Sequence, residues 1–169
     1  GYLPLGACIV SDGVAEAFKT PFAHGHTYGS HPASCAVGAA VLGYTVKPKL
    51  WERPAPLGEH PHKKPQILYD HPTVGDIRGK GLFSGIEFVK DKTTKEPFPA
   101  DVAFYHRVVE SCFEKRLLVY PGIATVDGYV GDHIQLAPPL VVTREQIDEM
   151  VSLLDEAIGE AEREVLWLC

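Results

Sequence analysis

No stretch of this chain is long and apolar enough to cross a bilayer, which takes about 20 consecutive apolar residues, and no basic-then-apolar run marks its start as a secretory signal. Membrane spans and signal-directed export are therefore not expected. Positive charge is also scarce: 16 Lys and Arg stand against 22 Asp and Glu, for a net charge of -6. The cations are scattered, and the one pair, Lys63-Lys64, does not extend into a patch, so the footprint of a nucleic-acid binder is missing. Cysteine is sparse and dispersed. Cys8, Cys35, Cys112 and Cys169 form no CxxC, which argues against a disulfide framework and for a reducing compartment. Internal repeats are absent as well.

What remains is a chain of 169 residues, 45% hydrophobic, enough for one core and part of another domain. Gly6 to Val10 is a short apolar run between turn residues and reads as a buried strand, followed by a helical stretch from Asp12 through Phe18. After the turn HGHTYGSHP, residues 24–32, Pro32 suits the first position of a helix, with Ser30 a candidate N-cap. Ala33, Ala36, Gly38, Ala39 and Ala40 leave that helix little bulk, so a neighbouring element can approach it closely. Pro48, Pro54, Pro56, Pro61 and Pro65 then interrupt any helix, and residues 47–70 read as an irregular linker.

Regular periodicity returns beyond it. Leu82, Ser84, Ile86 and Phe88 alternate with Phe83, Gly85, Glu87 and Val89 as a strand does, with Gly79 and Gly81 marking a turn or bulge ahead of it. A helix is expected from Ala100 to Lys115, strands in LLVYP (117–121) and HIQLAPPLVV (133–142), and a last helix opened by a Thr143/Gln146 capping box. Ile147, Met150, Val151, Leu154, Ile158 and Ala161 share one face of that last helix. Residues 71–169 thus read as a compact α+β domain.

GYLPLGACIV at 1–10, the His-rich turn at 24–32, HPTVGDIRGKGLFSGIEFVKDKTTKEPFP at 71–99 and GDHIQLAPPL at 131–140 together resemble the class III (omega-type) aminotransferases. The resemblance implies an α/β protein of fold type I: residues 1–46 as the end of the large cofactor-binding domain, 47–70 as a linker and 71–169 as the small C-terminal domain. It further implies pyridoxal 5'-phosphate as cofactor and transfer of an amino group between an amine or amino acid and a 2-oxo acid. A homodimer in the cytoplasm or mitochondrion is implied too. The proline-rich linker departs from the pattern, since the family carries a long amphipathic helix there.

By the same resemblance Thr27 hydrogen-bonds the cofactor phosphate held by the other subunit, while His26 and Tyr28 line the mouth of that site. Read without the family, Thr27 is a turn hydroxyl satisfying local backbone. The family's cofactor-holding lysine falls about five residues ahead of GYLPLGA by motif matching, outside this chain. Lys19 comes after that motif, in the wrong context to replace it, so no catalytic residue is assigned. In ornithine-type relatives an arginine precedes APPL. Gln135 occupies that place here, and no arginine occurs between Arg116 and Arg144. Carboxylate recognition is then left to residues upstream or to Arg78, whose alternative role is an ion pair with Asp76. Two rival readings stay open: a catalytically inactive fragment or dimerisation module of the family, and a metal-binding module built on His24, His26 and His31, with His60 and His62 nearby in sequence.

Overall fold

The computed structural model describes residues 2–20, 22–54, 56, 57, 66–126 and 128–166. They fall into two units, residues 1–49 and 50–169. In the first unit, helix α1 (Asp12–Glu16) starts where the Ser11 carbonyl accepts the amides of Val14 and Ala15, both at 3.0 Å. Helix α2 (Pro32–Val46) starts at the expected proline, but its N-cap is His31, not Ser30. Since Pro32 is the first helical residue, the cap must be the residue immediately before it. Ser30 instead takes a left-handed conformation (φ 57°) that turns the chain into the helix. The small residues of α2 allow a close approach, as expected: a Cβ on Gly38 would lie 2.3 Å from Leu5 Cδ2.

Gly6–Val10 is not a strand, and it is exposed, with Ile9 at 93%. A strand needs a neighbour to take its backbone groups. No other described segment of the first unit is extended into one, so the apolar run finds no ladder.

The second unit is built on a four-stranded antiparallel sheet of order β1-β2-β4-β3. Its strands are β1 (Val74–Lys80), β2 (Phe83–Phe88), β3 (Tyr120–Gly122) and β4 (Asp132–Leu136). Alternation decides the faces. Ser84, Ile86 and Phe88 of β2 and Ile134 and Leu136 of β4 turn inward and are buried, while Phe83, Glu87, His133 and Gln135 fall on the other face. Ile86 pairs with Ile134, and Ile77 with Ile86, so the inner face is one apolar surface. Gly81 (φ 61°) makes the tight turn between β1 and β2.

β1 is an edge strand that the sequence pattern does not announce. Its open side is met by side chains: Tyr69 Oη accepts the Ile77 amide at 2.8 Å and shares its hydrogen between the Ile77 carbonyl (3.1 Å) and Asp76 Oδ1 (3.2 Å). Lys95 Nζ donates to the Gly75 carbonyl at 2.6 Å. Spending the edge in this way denies it to another chain.

Helix α4 (Phe104–Glu114) and helix α5 (Arg144–Leu166) cover the inner face. α4 begins four residues later than expected. Its N-cap, Ala103, has φ 45° and no capping side chain, and Asp132 of β4 supplies the acceptor, with Oδ2 3.2 Å from the Tyr105 amide. At the far end, Arg116 is left-handed (φ 62°), its amide reaches the Phe113 carbonyl at 2.9 Å and the Leu117 amide reaches Cys112 at 2.8 Å. That is a Schellman stop. It commits Arg116 and Leu117 to the helix, which is why β3 is shorter than LLVYP. β4 ends ahead of Pro138 and Pro139, which cannot donate to a ladder. α5 opens as expected: Thr143 Oγ1 accepts the Gln146 amide at 3.2 Å and Gln146 Oε1 the Thr143 amide at 3.0 Å.

Three phenylalanines anchor the core. Phe98 stacks on Phe104 at 4.7 Å and Phe88 meets Phe104 edge-on at 5.2 Å, each ring nearly or fully buried. Burial of each is worth about 1.5–3 kcal/mol. A second cluster joins Leu57, Leu82, Val142 and Ile147. The proline-rich stretch contributes to it rather than being irregular throughout. Leu50–Glu52 forms a 3-10 turn, Leu50 and Leu57 are buried, Arg53 Nη2 donates to the Val142 carbonyl at 3.0 Å, and Gln66–Tyr69 is a helical turn, α3. Prolines stop long helices but not single turns. The rest of the linker, residues 58–65 with His60 and His62, lies outside the described residues. Among the described residues no helix is long and apolar enough to cross a membrane.

Candidate functional site

Two linked turns shape the His-rich segment ahead of α2. The Gly29 amide donates to the His26 carbonyl at 2.8 Å and the His31 amide to the Tyr28 carbonyl at 3.3 Å. His31 then fastens the helix start, its Nδ1 accepting the Ser34 amide at 3.4 Å and its carbonyl the Cys35 amide at 3.0 Å. Thr27 sits at the exposed corner of the first turn, and its hydroxyl has no partner among the described residues. The backbone of the turn is closed by His26 and Gly29 without it. His26 folds back over Gly29, and its ring lies 5.9 Å from that of His24. Tyr28 is exposed beside His31, 6.2 Å ring to ring.

An unspent hydroxyl, an imidazole and the positive end of a fifteen-residue helix in one exposed segment form a donor set suited to a phosphate. Thr27 and His26 are sequence neighbours in this turn. Among the described residues no three His, Cys, Asp or Glu side chains are grouped to hold a metal.

The outer face of the sheet carries a separate groove of about 450 Å³ that brings Arg78, Glu87, Thr125, His133 and Gln135 together. Gln135 Nε2 lies 3.3 Å from His133 Nε2. Arg78 is already engaged, with Nη1 2.8 Å from Asp76 Oδ2 and 3.0 Å from Glu87 Oε2. Its hydrogen bond holds the Asp76 carboxyl below the usual range, and the two carboxylates raise the guanidinium's own value. The ion-pair reading of Arg78 thereby gains a second carboxylate, Glu87. His133 is the member of this groove that pattern reading passed over. Its signal was available in the alternation of β4, which sets 133 and 135 on the same face.

Comparison with known proteins bears on the whole of this arrangement. The family description "Aminotransferase class-III" matches residues 1–158. The chain belongs to the class III aminotransferases. An uncharacterized aminotransferase of Schizosaccharomyces pombe is 41% identical over 162 residues, covering 94% of this chain and 35% of that protein. Among solved structures, a Bacillus anthracis aminotransferase superposes with a TM-score of 0.78 at 38% identity, covering 89% of this chain and 34% of its own. The PMP-bound form of a Vibrio fluvialis aminotransferase superposes with a TM-score of 0.75 at 27% identity, covering 90% and 32%. The chain spans about a third of the length of the curated relatives it matches. Mixed helix and sheet, the fold is that of part of these aminotransferases.

Proposed function

We propose that this chain is the C-terminal third of a pyridoxal 5'-phosphate-dependent aminotransferase that moves an amino group between an amine or amino acid and a 2-oxo acid. The observation that carries the reading is the Thr27 hydroxyl, unpartnered among the described residues, in a turn that the class III family match covers. Thr27 donates a hydrogen bond to a phosphate oxygen, and the N-terminal end of α2 adds a favourable field. His26 and Tyr28 wall the approach. The pyridine ring of the cofactor, when bound, supplies the electron sink that amino-group exchange requires. Holding and orienting the phosphate is the part that falls to this chain, while the lysine that anchors the ring is contributed from outside it.

In this reading the phosphate that Thr27 grips belongs to the other subunit of a homodimer. The exposed apolar side chains of the first unit, among them Phe22, Leu42 and Tyr44, suit a segment that is covered by the rest of a longer chain or by a second subunit. Gln135 in place of an arginine, together with an Arg78 already held by two carboxylates, speaks against ornithine-type recognition of an α-carboxylate. Widely spaced cysteines suit the cytoplasm or the mitochondrion.

Complementation tests this. The chain is joined in frame behind the remaining N-terminal part of the S. pombe relative, and cofactor retention and amino transfer are measured. The folded chimera should hold pyridoxal phosphate and transaminate. Thr27→Ala in it should weaken cofactor affinity by about 5- to 150-fold, the cost of one charge-assisted hydrogen bond of about 1–3 kcal/mol. A folded chimera that retains cofactor but does not transaminate would favour the inactive-module reading. Unchanged affinity in Thr27→Ala would refute the phosphate role.

A further inference from the structure

His71 stands where the chain passes from α3 into β1, and both its ring nitrogens meet carboxylates on α5. Nδ1 lies 2.8 Å from Glu162 Oε2 and Nε2 lies 3.0 Å from Asp155 Oδ1. These two acids are seven residues apart, two turns of one helix face, and the ring bridges them over Gly159, where a Cβ would lie 3.7 Å from His71 Cε1. The second oxygen of Glu162 is spent two residues along: Oε1 accepts the Thr73 hydroxyl at 2.7 Å and the Thr73 amide at 3.2 Å. His71, Thr73 and Glu162 are all largely or fully buried.

A neutral imidazole has one N–H and one lone pair, so it can donate to only one carboxylate and turns its lone pair on the other. With both carboxylates ionised, the geometry is satisfied only when each nitrogen carries a proton. We propose that His71 is a protonated latch that fastens residues 71–73, the entry to the sheet, onto α5, and that loss of its proton releases that entry segment. The latch lies within residues 50–169 and does not depend on the cofactor reading.

Among the described residues, cations also stand near the ring. From α5, Arg163 lies beside Gly159; from the turn at 91–96, Lys92 Nζ donates to the carbonyls of Tyr69 and His71 and sits 5.5 Å over the Tyr69 ring. Lys92 grips the backbone, whereas the two acids grip the ring. Its bond to Glu162 is the main influence raising the His71 pKa above its ordinary 6.5; burial opposes this, and Asp155 adds to the rise. Burial works against Glu162 ionising, yet the bonds from His71 and Thr73 leave its pKa below the ordinary value.

The signs follow. A raised histidine contributes stability that is complete below about pH 6.5 and is lost as pH rises through the folded value. A depressed glutamate contributes stability present above its ordinary value and lost as pH falls through the folded one. The latch is closed between those limits and opens on the alkaline side when His71 deprotonates.

Nitrogen NMR of the His71 ring in the full chain, followed from pH 5 to 10, reads the proton directly, and exchange of the Thr73 amide reads the latch. The ring should titrate above 6.5 and be doubly protonated below that midpoint. Asp155→Asn should lower that midpoint and Glu162→Gln should lower it further. Thr73 exchange should climb more steeply than base catalysis alone once His71 titrates, and His71→Gln should abolish the extra climb. A ring that titrates at or below 6.5, or Thr73 exchange that follows base catalysis throughout, would overturn the proposal. The titration of the unaltered chain decides the matter even where a variant does not fold.

Discussion

Thr27 and Asp132 show opposite fates of a polar side chain. Thr27 is exposed, its turn is already closed by backbone, and its hydroxyl has no partner among the described residues. Asp132 is 6% exposed, and its carboxylate is spent on the first amides of α4. Burial pushes that carboxyl up, opposed by the Tyr105 and Phe104 amides. Because Ala103 cannot cap α4 itself, removing the Asp132 carboxylate leaves those amides buried without a partner. Asp132→Ala should therefore lower the unfolding free energy by about 1–3 kcal/mol, read from the urea midpoint at constant m. A change within about 0.5 kcal/mol would show that the cap is idle. Neither role was readable as such in the sequence. Thr27 stood out through its resemblance, and Asp132 acts through a contact 27 residues away in the chain.

At the scale of elements, legibility followed periodicity. β2 and α5 were plain because burial on one face imposes a period of two or of about 3.6; the residues named for β2 are buried, and those named for α5 are too except Met150, which is only partly so, while Ala157, Glu162 and Val165 are buried without having been named. β1 was obscured: Gly75 carries no periodic signal, Gly79 read as a turn residue although it lies inside the strand, and Asp76, Arg78 and Lys80 lie on the solvent side of an edge strand. Gly6–Val10 failed in the opposite sense. Its composition suits a strand, but a strand is a property of a pair, and the described residues of its unit offer no second member. The edge of β1 gives a test at this scale. Tyr69→Phe removes the hydroxyl that serves both the Ile77 amide and carbonyl, at a cost of about 1 kcal/mol. The Ile77 amide should then exchange faster in hydrogen-exchange mass spectrometry while Ile134, at the centre of the sheet, keeps its protection. Equal protection at Ile77 would mean that the hydroxyl does not guard the edge.

On the scale of the whole molecule, the two units differ in how much they bury. Residues 50–169 enclose a core of phenylalanines and aliphatics between sheet and helices, whereas residues 1–49 expose Ile9, Phe22, Leu42 and Tyr44. One family match nevertheless runs through both, over residues 1–158. Its outline was legible because short motifs at 1–10, 24–32, 71–99 and 131–140 keep their order. What composition and pattern could not reach was the pairing of distant side chains, His71 with Asp155 and Glu162 foremost. The most direct test of the central claim, that this chain grips the cofactor phosphate while another segment supplies the lysine, is to mix the purified chain with pyridoxal phosphate, reduce with borohydride and map every modified lysine. The chain alone should give no stoichiometric adduct, only diffuse labelling of exposed lysines. A single lysine modified one to one, in a species that turns over when an amine donor is added, would contradict it.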